Sequence, residues 1–207
     1  MRYRLTFSKT TAMRFTGNLD LHRSLDRTVR RARLPLSHTQ GYTSRTRLAI
    51  ASPLPLGVTG EAELADLWLD EALPSEEICQ RINAAAPPGI IIHAVEAIEE
   101  TAPKLQSGVR ASDFRVTLLE PIPDLDAQLA RVHGADALPR VRRGKEYDLR
   151  PLILALALAT PDDAGNPQLA MTLLARDSAT GRPDEVVAEL GGDPFAARYH
   201  RTKIHLE

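Results

Sequence analysis

Apolar residues recur at period two over Arg2–Lys9, where Tyr3, Leu5 and Phe7 share one face, and this alternation predicts a half-buried first strand. The period then lengthens. Leu21, Leu25, Val29 and Ala32 return at helical spacing behind Asn18, which can cap a helix, and Asp20, whose charge suits the positive end of the helix dipole. Pro35 prevents that helix from continuing. Residues 47–52 and 63–69 predict two further strands joined through the turn-rich PLPLGVTG. A second helix starts at residues 74–77, turns Ile78 and Ile82 inward and stops at Pro87-Pro88-Gly89, after which Ile90–Ile98 supplies a fourth strand.

The same order follows a linker over residues 101–111 that contains Pro103, Ser107 and Gly108. Residues 113–119 predict a strand and 125–132 a short helix, with Leu125, Leu129 and Val132 aligned. Residues 147–159 and 168–175 predict a strand pair joined by TPDDAGNP. A helix over 183–190 begins with Pro183 in its first turn, and residues 198–206 close the chain as a strand. The chain is thus expected to be α+β, with tandem ferredoxin-like βαββαβ units over residues 1–100 and 111–207 and antiparallel sheets. Such a unit covers one sheet face with helices and leaves the other for a partner sheet, a second unit or a nucleic acid.

With 43% hydrophobic and 26% charged residues, the composition is that of an ordinary globular chain. The amino-terminal alternation lacks the apolar core of a signal peptide, and the longest apolar run, LILALALA, is far shorter than the ~20 residues of a membrane span, so a cytoplasmic protein is expected. Cys79 is the sole cysteine, which excludes an internal disulfide and a cysteine-bound iron–sulfur cluster or four-ligand zinc ribbon built from this chain. A net charge of −1 hides an asymmetry. Residues 1–60 hold eleven Lys/Arg against Asp20 and Asp26, whereas the remainder holds fifteen basic and twenty-five acidic residues. A basic lobe beside an acidic one implies either an anionic ligand at the first or salt bridges between the two.

Three constellations are candidates for chemistry. Arg23, Arg27, Arg30 and Arg31 fall on the outer side of the first helix, a stripe able to grip phosphates or to stand solvated beside Asp26. The loop SHTQGYTSRTR gathers Gln40, Gly41, Tyr42, Arg45 and Arg47. Tyr42 can stack on a base or sugar, or pack on a sheet edge, while the arginines take phosphate and Gly41 lets backbone N–H groups approach an anion. A third cluster, Arg140, Arg142, Arg143 and Lys145, either extends the basic surface or forms an exposed connection before a strand. His22 and His38 are the histidines placed to act as acid or base, and no HExxH, HxH, GxGxxG, phosphate-loop or GxSxG pattern occurs. No catalytic or metal-ligating residue is assigned.

The blocks Phe7-Ser8-Lys9, Arg14-Phe15, Leu19-Asp20-Leu21, Arg27, Arg30-Arg31-Ala32, Leu34-Pro35, Thr39-Gln40-Gly41-Tyr42, Pro53-Leu54-Pro55-Leu56-Gly57 and Gly60-Glu61 together resemble an uncharacterised domain family fused to, or encoded beside, radical S-adenosylmethionine (SAM) proteins. Weaker likeness runs through Asp148-Leu149-Arg150-Pro151-Leu152 and Arg182-Pro183-Asp184-Glu185. Where the family often carries a serine–histidine pair and an Asn-Pro-His-Pro-like loop, this chain has Gly17-Asn18 and Thr43-Ser44-Arg45-Thr46. The resemblance implies an accessory module whose radical SAM partner, not this chain, would hold S-adenosylmethionine and the iron–sulfur cluster.

The expected role is therefore a non-catalytic module that presents RNA or another polyanion to a radical SAM protein. Two alternatives stand beside it. Tandem ferredoxin-like units with a basic face are also similar to CRISPR repeat-processing endoribonucleases, although only Gly191-Gly192 stands where their glycine-rich loop is expected. A structural homodimer joined through oppositely charged lobes is the third reading.

Overall fold

The alternation at the amino terminus is realised as β1 (Arg2–Lys9), which turns Tyr3, Leu5 and Phe7 into a core shared with Leu21, Leu25, Val29, Ile78 and Ile82. The computed structural model describes residues 1–142, 144–176 and 179–207, which divide into two units, Met1–Val109 and Arg110–Glu207. No helix among the described residues is long and apolar enough to cross a membrane.

In the first unit β1 is followed by α1 (Asn18–Arg31), β2 (Leu48–Ile50), β3 (Val58–Trp68), α2 (Ser75–Ala85) and β4 (Ile90–Ile98). β1 lies between β3 and β4, and β2 pairs with the outer side of β3, all antiparallel. The resulting order, β4-β1-β3-β2, is that of a ferredoxin-like unit. The third strand begins earlier than its apolar pattern suggests, because the buried Glu63 carboxylate lies over Gly60, where a Cβ would collide with it, and this lets VTG enter the sheet. Helix α2 is clamped to β4 by Asn83, whose amide accepts from Ile92 N at 2.8 Å and donates to Ile92 O at 2.9 Å. A short turn of helix, α3 (Leu105–Gly108), occupies the segment expected as a linker.

The second unit runs β5 (Val109–Leu118), α4 (Leu125–Gly134), the hairpin β6 (Pro139–Arg142) and β7 (Lys145–Asp148), β8 (Ile153–Ala159), β9 (Gln168–Arg176), β10 (Ala179–Thr180), α5 (Pro183–Glu189) and β11 (Ala197–Leu206). Its sheet has the same logic, β8-β9-β5-β11, with β10 on the end of β9. The single strand expected over 147–159 is broken. Asp148 Oδ1 accepts from Leu138 N and Arg150 N at 2.7 and 2.9 Å, and Pro151, lacking a donor, sits in a 3-10 turn over Arg150–Leu152, so β7 leaves to pair with β6.

One ion network fixes the first unit's helix-free face. Asp66 is fully buried in β3 and receives Arg2 Nη2 at 2.6 Å and Arg4 Nε at 2.9 Å. Arg2, itself 3% exposed, also donates to the Ala102 and Pro103 carbonyls and stacks on Trp68, 5.0 Å from the ring centroid. Removing one partner of such a pair strands the other charge in a dry site. Asp66→Ala is therefore expected to cost about 3–5 kcal/mol in urea unfolding. Arg4→Ala, at a partly solvated position, is expected to cost clearly less; equal losses would show that Asp66 does not depend on Arg2.

Candidate nucleic-acid interface

Helix α1 buries Leu21, Leu25, Thr28 and Val29, which turns Arg23, Arg27, Arg30 and Arg31 to solvent as their spacing predicts. Its N-cap position is Gly17 rather than Asn18, and no side chain caps the end, because Asn18 is already inside the first turn. Arg23 pairs with Asp20 at 3.1 Å and Arg30 with Asp26 at 3.0 Å. Both pairs are largely solvated and worth under ~1 kcal/mol, weak enough for a phosphate to compete. The guanidinium groups of Arg27 and Arg31, one turn apart, make no hydrogen bond or ion pair among the described residues, and neither does that of the exposed Arg33 beyond the helix end. Arg33 belongs to the same basic run and was legible as part of it.

The 37–47 loop is tied at its base. His38 bridges Thr46, Thr39 N donates to Arg45 O at 2.8 Å, and Arg45 N donates to Thr39 Oγ1 at 3.1 Å. The tip holds exposed Gln40, Gly41 at φ +124° and Tyr42, whose ring is fully exposed and packs on no sheet edge. Glycine is required where the backbone takes that left-handed φ. Arg45 is exposed, and its guanidinium is without a partner among the described residues. Arg47 is placed elsewhere: its guanidinium lies over Trp68, 4.8 Å from the ring centroid, and reaches Glu100 at 3.3 Å. His22 Nε2 meets Leu48 O at 3.2 Å, which makes His22 a tie between α1 and the first residue of β2, just past the loop.

The third cluster serves a different purpose. Arg140 reaches Glu189 at 2.6 Å, Arg142 lies 3.8 Å from Glu185, and Tyr147 donates to Glu185, so the β6–β7 hairpin is strapped to α5. Lys145 is exposed without a partner among the described residues, and Arg143 lies outside the described residues.

The expected contrast of a basic and an acidic lobe is not how the chain folds. Residues 61–109 contain only Arg81 and Lys104 against ten acids, and they share a unit with the basic residues 1–60. That unit therefore holds thirteen basic and twelve acidic residues. Its positive character is local to α1 and the loop. A separate polar group went unseen in the sequence: on the second unit's sheet, Asp113 receives Thr172 Oγ1 at 2.7 Å and His205 Nε2 at 2.8 Å. These residues are 59 and 92 positions apart, and only strand pairing brings them together.

A family model described as "Uncharacterized protein conserved in bacteria (DUF2344)" matches residues 2–183. No curated protein matches the sequence. Among solved structures, a chain of a Cbf5-Nop10-Gar1 complex is similar at a TM-score of 0.54 and 7% identity, over 98% of this chain and 48% of that one. A chain of an archaeal box H/ACA sRNP Nop10-Cbf5 complex is similar at 0.47 and 10% identity, again over 98% and 48%. This chain thus spans about half the length of those chains, and the first likeness supports the mixed α+β, ferredoxin-like fold alone.

Burial pushes the Tyr147 phenol up to about 12, with its hydrogen bond to the Glu185 carboxylate and that carboxylate's charge adding to the shift. An unfolded phenol ionises near 10, so the folded state forgoes ionisation that the unfolded state gains between these values. Stability is therefore expected to be intact below pH 10 and to fall as pH rises towards 12. Urea unfolding of Tyr147→Phe across this range should show a shallower alkaline loss than wild type; parallel curves would remove the Tyr147–Glu185 contact from the account.

Proposed function

The chain belongs to the DUF2344 family, and we propose that it is an accessory module that holds RNA or a similar polyanion on the outer face of α1 and the 39–45 loop. The observation that carries this reading is the presence of the unpaired guanidinium groups of Arg27, Arg31 and Arg45 and a fully exposed Tyr42 on one unit, the loop being tied at its base. An exposed aromatic ring on a fixed loop loses little entropy on stacking, and guanidinium groups meet phosphate oxygens in a two-pronged fashion. Arg23 and Arg30 can exchange their solvated carboxylates for phosphate as the strand arrives. Such a surface reads backbone charge and base planarity rather than base identity.

The resemblance of the blocks between Phe7 and Glu61 to a family linked with radical SAM proteins supports the second half of the proposal: the bound strand is presented to a separate radical SAM enzyme. S-adenosylmethionine and the iron–sulfur cluster then belong to that enzyme, and the chain at hand contributes binding and orientation.

Gel-shift titration of single-stranded RNA over a salt series tests the surface. Each phosphate contact contributes a slope of about −0.7 in log affinity against log salt. The triple variant Arg27→Ala/Arg31→Ala/Arg45→Ala should flatten the slope by about 2, and Tyr42→Ala should weaken binding by about 1–3 kcal/mol at every salt concentration. Absence of any shift at low salt, or an unchanged slope in the triple variant, would overturn it.

A further inference from the structure

The helix-free face of the second unit's sheet carries a concavity of about 350 Å³. Its floor is set by strand register. Ala155 of β8 stands opposite Thr172 of β9, which stands opposite Asp113 of β5; one row along, Ala157, Ala170 and Arg115 line up in the same way. Three strands about 4.8 Å apart and two rows about 7 Å apart make a platform of roughly 10 by 7 Å. That is the footprint of a two-ring heterocycle. The three alanines are nearly flush with the backbone and each is exposed, so the β8 side of the platform is flat and apolar, while Thr172, Asp113 and Arg115 stand above it towards β5.

Two polar groups border it with complementary chemistry. Asp113 is held by Thr172 at one oxygen and His205 at the other, and each oxygen keeps a second lone pair for another donor. His205 thus acts as a positioning residue behind the carboxylate. Arg115 is exposed, and its guanidinium makes no hydrogen bond or ion pair among the described residues. A flat floor selects a planar ring, a fixed carboxylate selects N–H donors on the edge of that ring, and an unpaired guanidinium selects an anion attached to it.

We propose that this face is a nucleotide site: the base lies on Ala155, Ala157 and Ala170, its donor edge meets Asp113, and its phosphate meets Arg115. Guanine is the base that fits best, since it presents two adjacent N–H donors to one carboxylate. The nucleotide is either free or part of an RNA strand. The site lies in the other unit from the α1 surface and stands independently of it.

Titration of the isotope-labelled full chain with guanosine monophosphate, followed by amide resonances, tests the site. The nucleotide should move the signals of Arg115, Ala157 and Ala170. Guanosine and adenosine monophosphate should each bind at least about tenfold more weakly, the loss expected when one charged hydrogen-bond partner is missing. Arg115→Gln should erase the difference between guanosine and its monophosphate. Ala170→Leu, an exposed substitution that fills the floor, should abolish binding with an unchanged thermal midpoint. A guanine-rich oligonucleotide that displaces the mononucleotide identifies RNA as the source; one that leaves the signals unmoved identifies the free nucleotide. No movement on this face with either ligand, equal affinity for the adenine nucleotide, or unchanged affinity in Arg115→Gln would overturn the assignment. Arg27→Ala/Arg31→Ala/Arg45→Ala should leave this titration unaltered, so the two surfaces fail separately.

Discussion

A carboxylate with no exposure in the middle of a strand is tolerated only where opposite charge reaches it, and Asp66 imposes that condition on the first unit. Arg4 meets it directly, because the register of β1 on β3 sets the two residues side by side. Arg2 meets it from two positions away on the same face, and in doing so gathers the Ala102 and Pro103 carbonyls and the Trp68 ring. Arg47 covers the same ring and reaches Glu100. The sheet face that a ferredoxin-like unit leaves uncovered is therefore filled by an internal ionic lattice. The outward positive charge of the unit lies instead on the outer side of α1 and on the 37–47 loop.

The second unit uses the same strand order and leaves its helix-free face in the opposite condition. Alanine stands at three positions of two adjacent rows, and the Arg115 guanidinium makes no ion pair among the described residues. Several of its other arginines are engaged in mechanical work. Arg131 and Arg140 grip Glu189, and Arg142 and Tyr147 face Glu185, so a hairpin inserted between α4 and β8 is carried on α5. Identical topology has thus been given two surfaces, one closed by charge and one open and flat, and the difference lies in a few strand positions rather than in the fold.

Local charge outweighs net charge here. The first unit is nearly neutral overall, and at physiological salt a field extends only about 8 Å from its source. Five arginines within about three turns of one helix and its end therefore present a locally positive surface, although acids of the same unit cancel them at a distance.

Residue order by itself determined the element types, because periodicity, proline and glycine act over a few positions: β1, α1, α2 and β4 follow from spacing alone. It also determined the outward stripe of α1, since burying Leu21, Leu25 and Val29 leaves the arginines no other side. Tertiary structure decided which cations are available. Arg2 and Asp66 are 64 residues apart, and Asp113 meets partners 59 and 92 residues away. It likewise decided that 147–159 breaks at Pro151 and that Arg47 leaves the loop for Trp68. Ion pairs and strand register are contacts between distant segments, and their energy depends on burial and on a neighbour that no local pattern specifies.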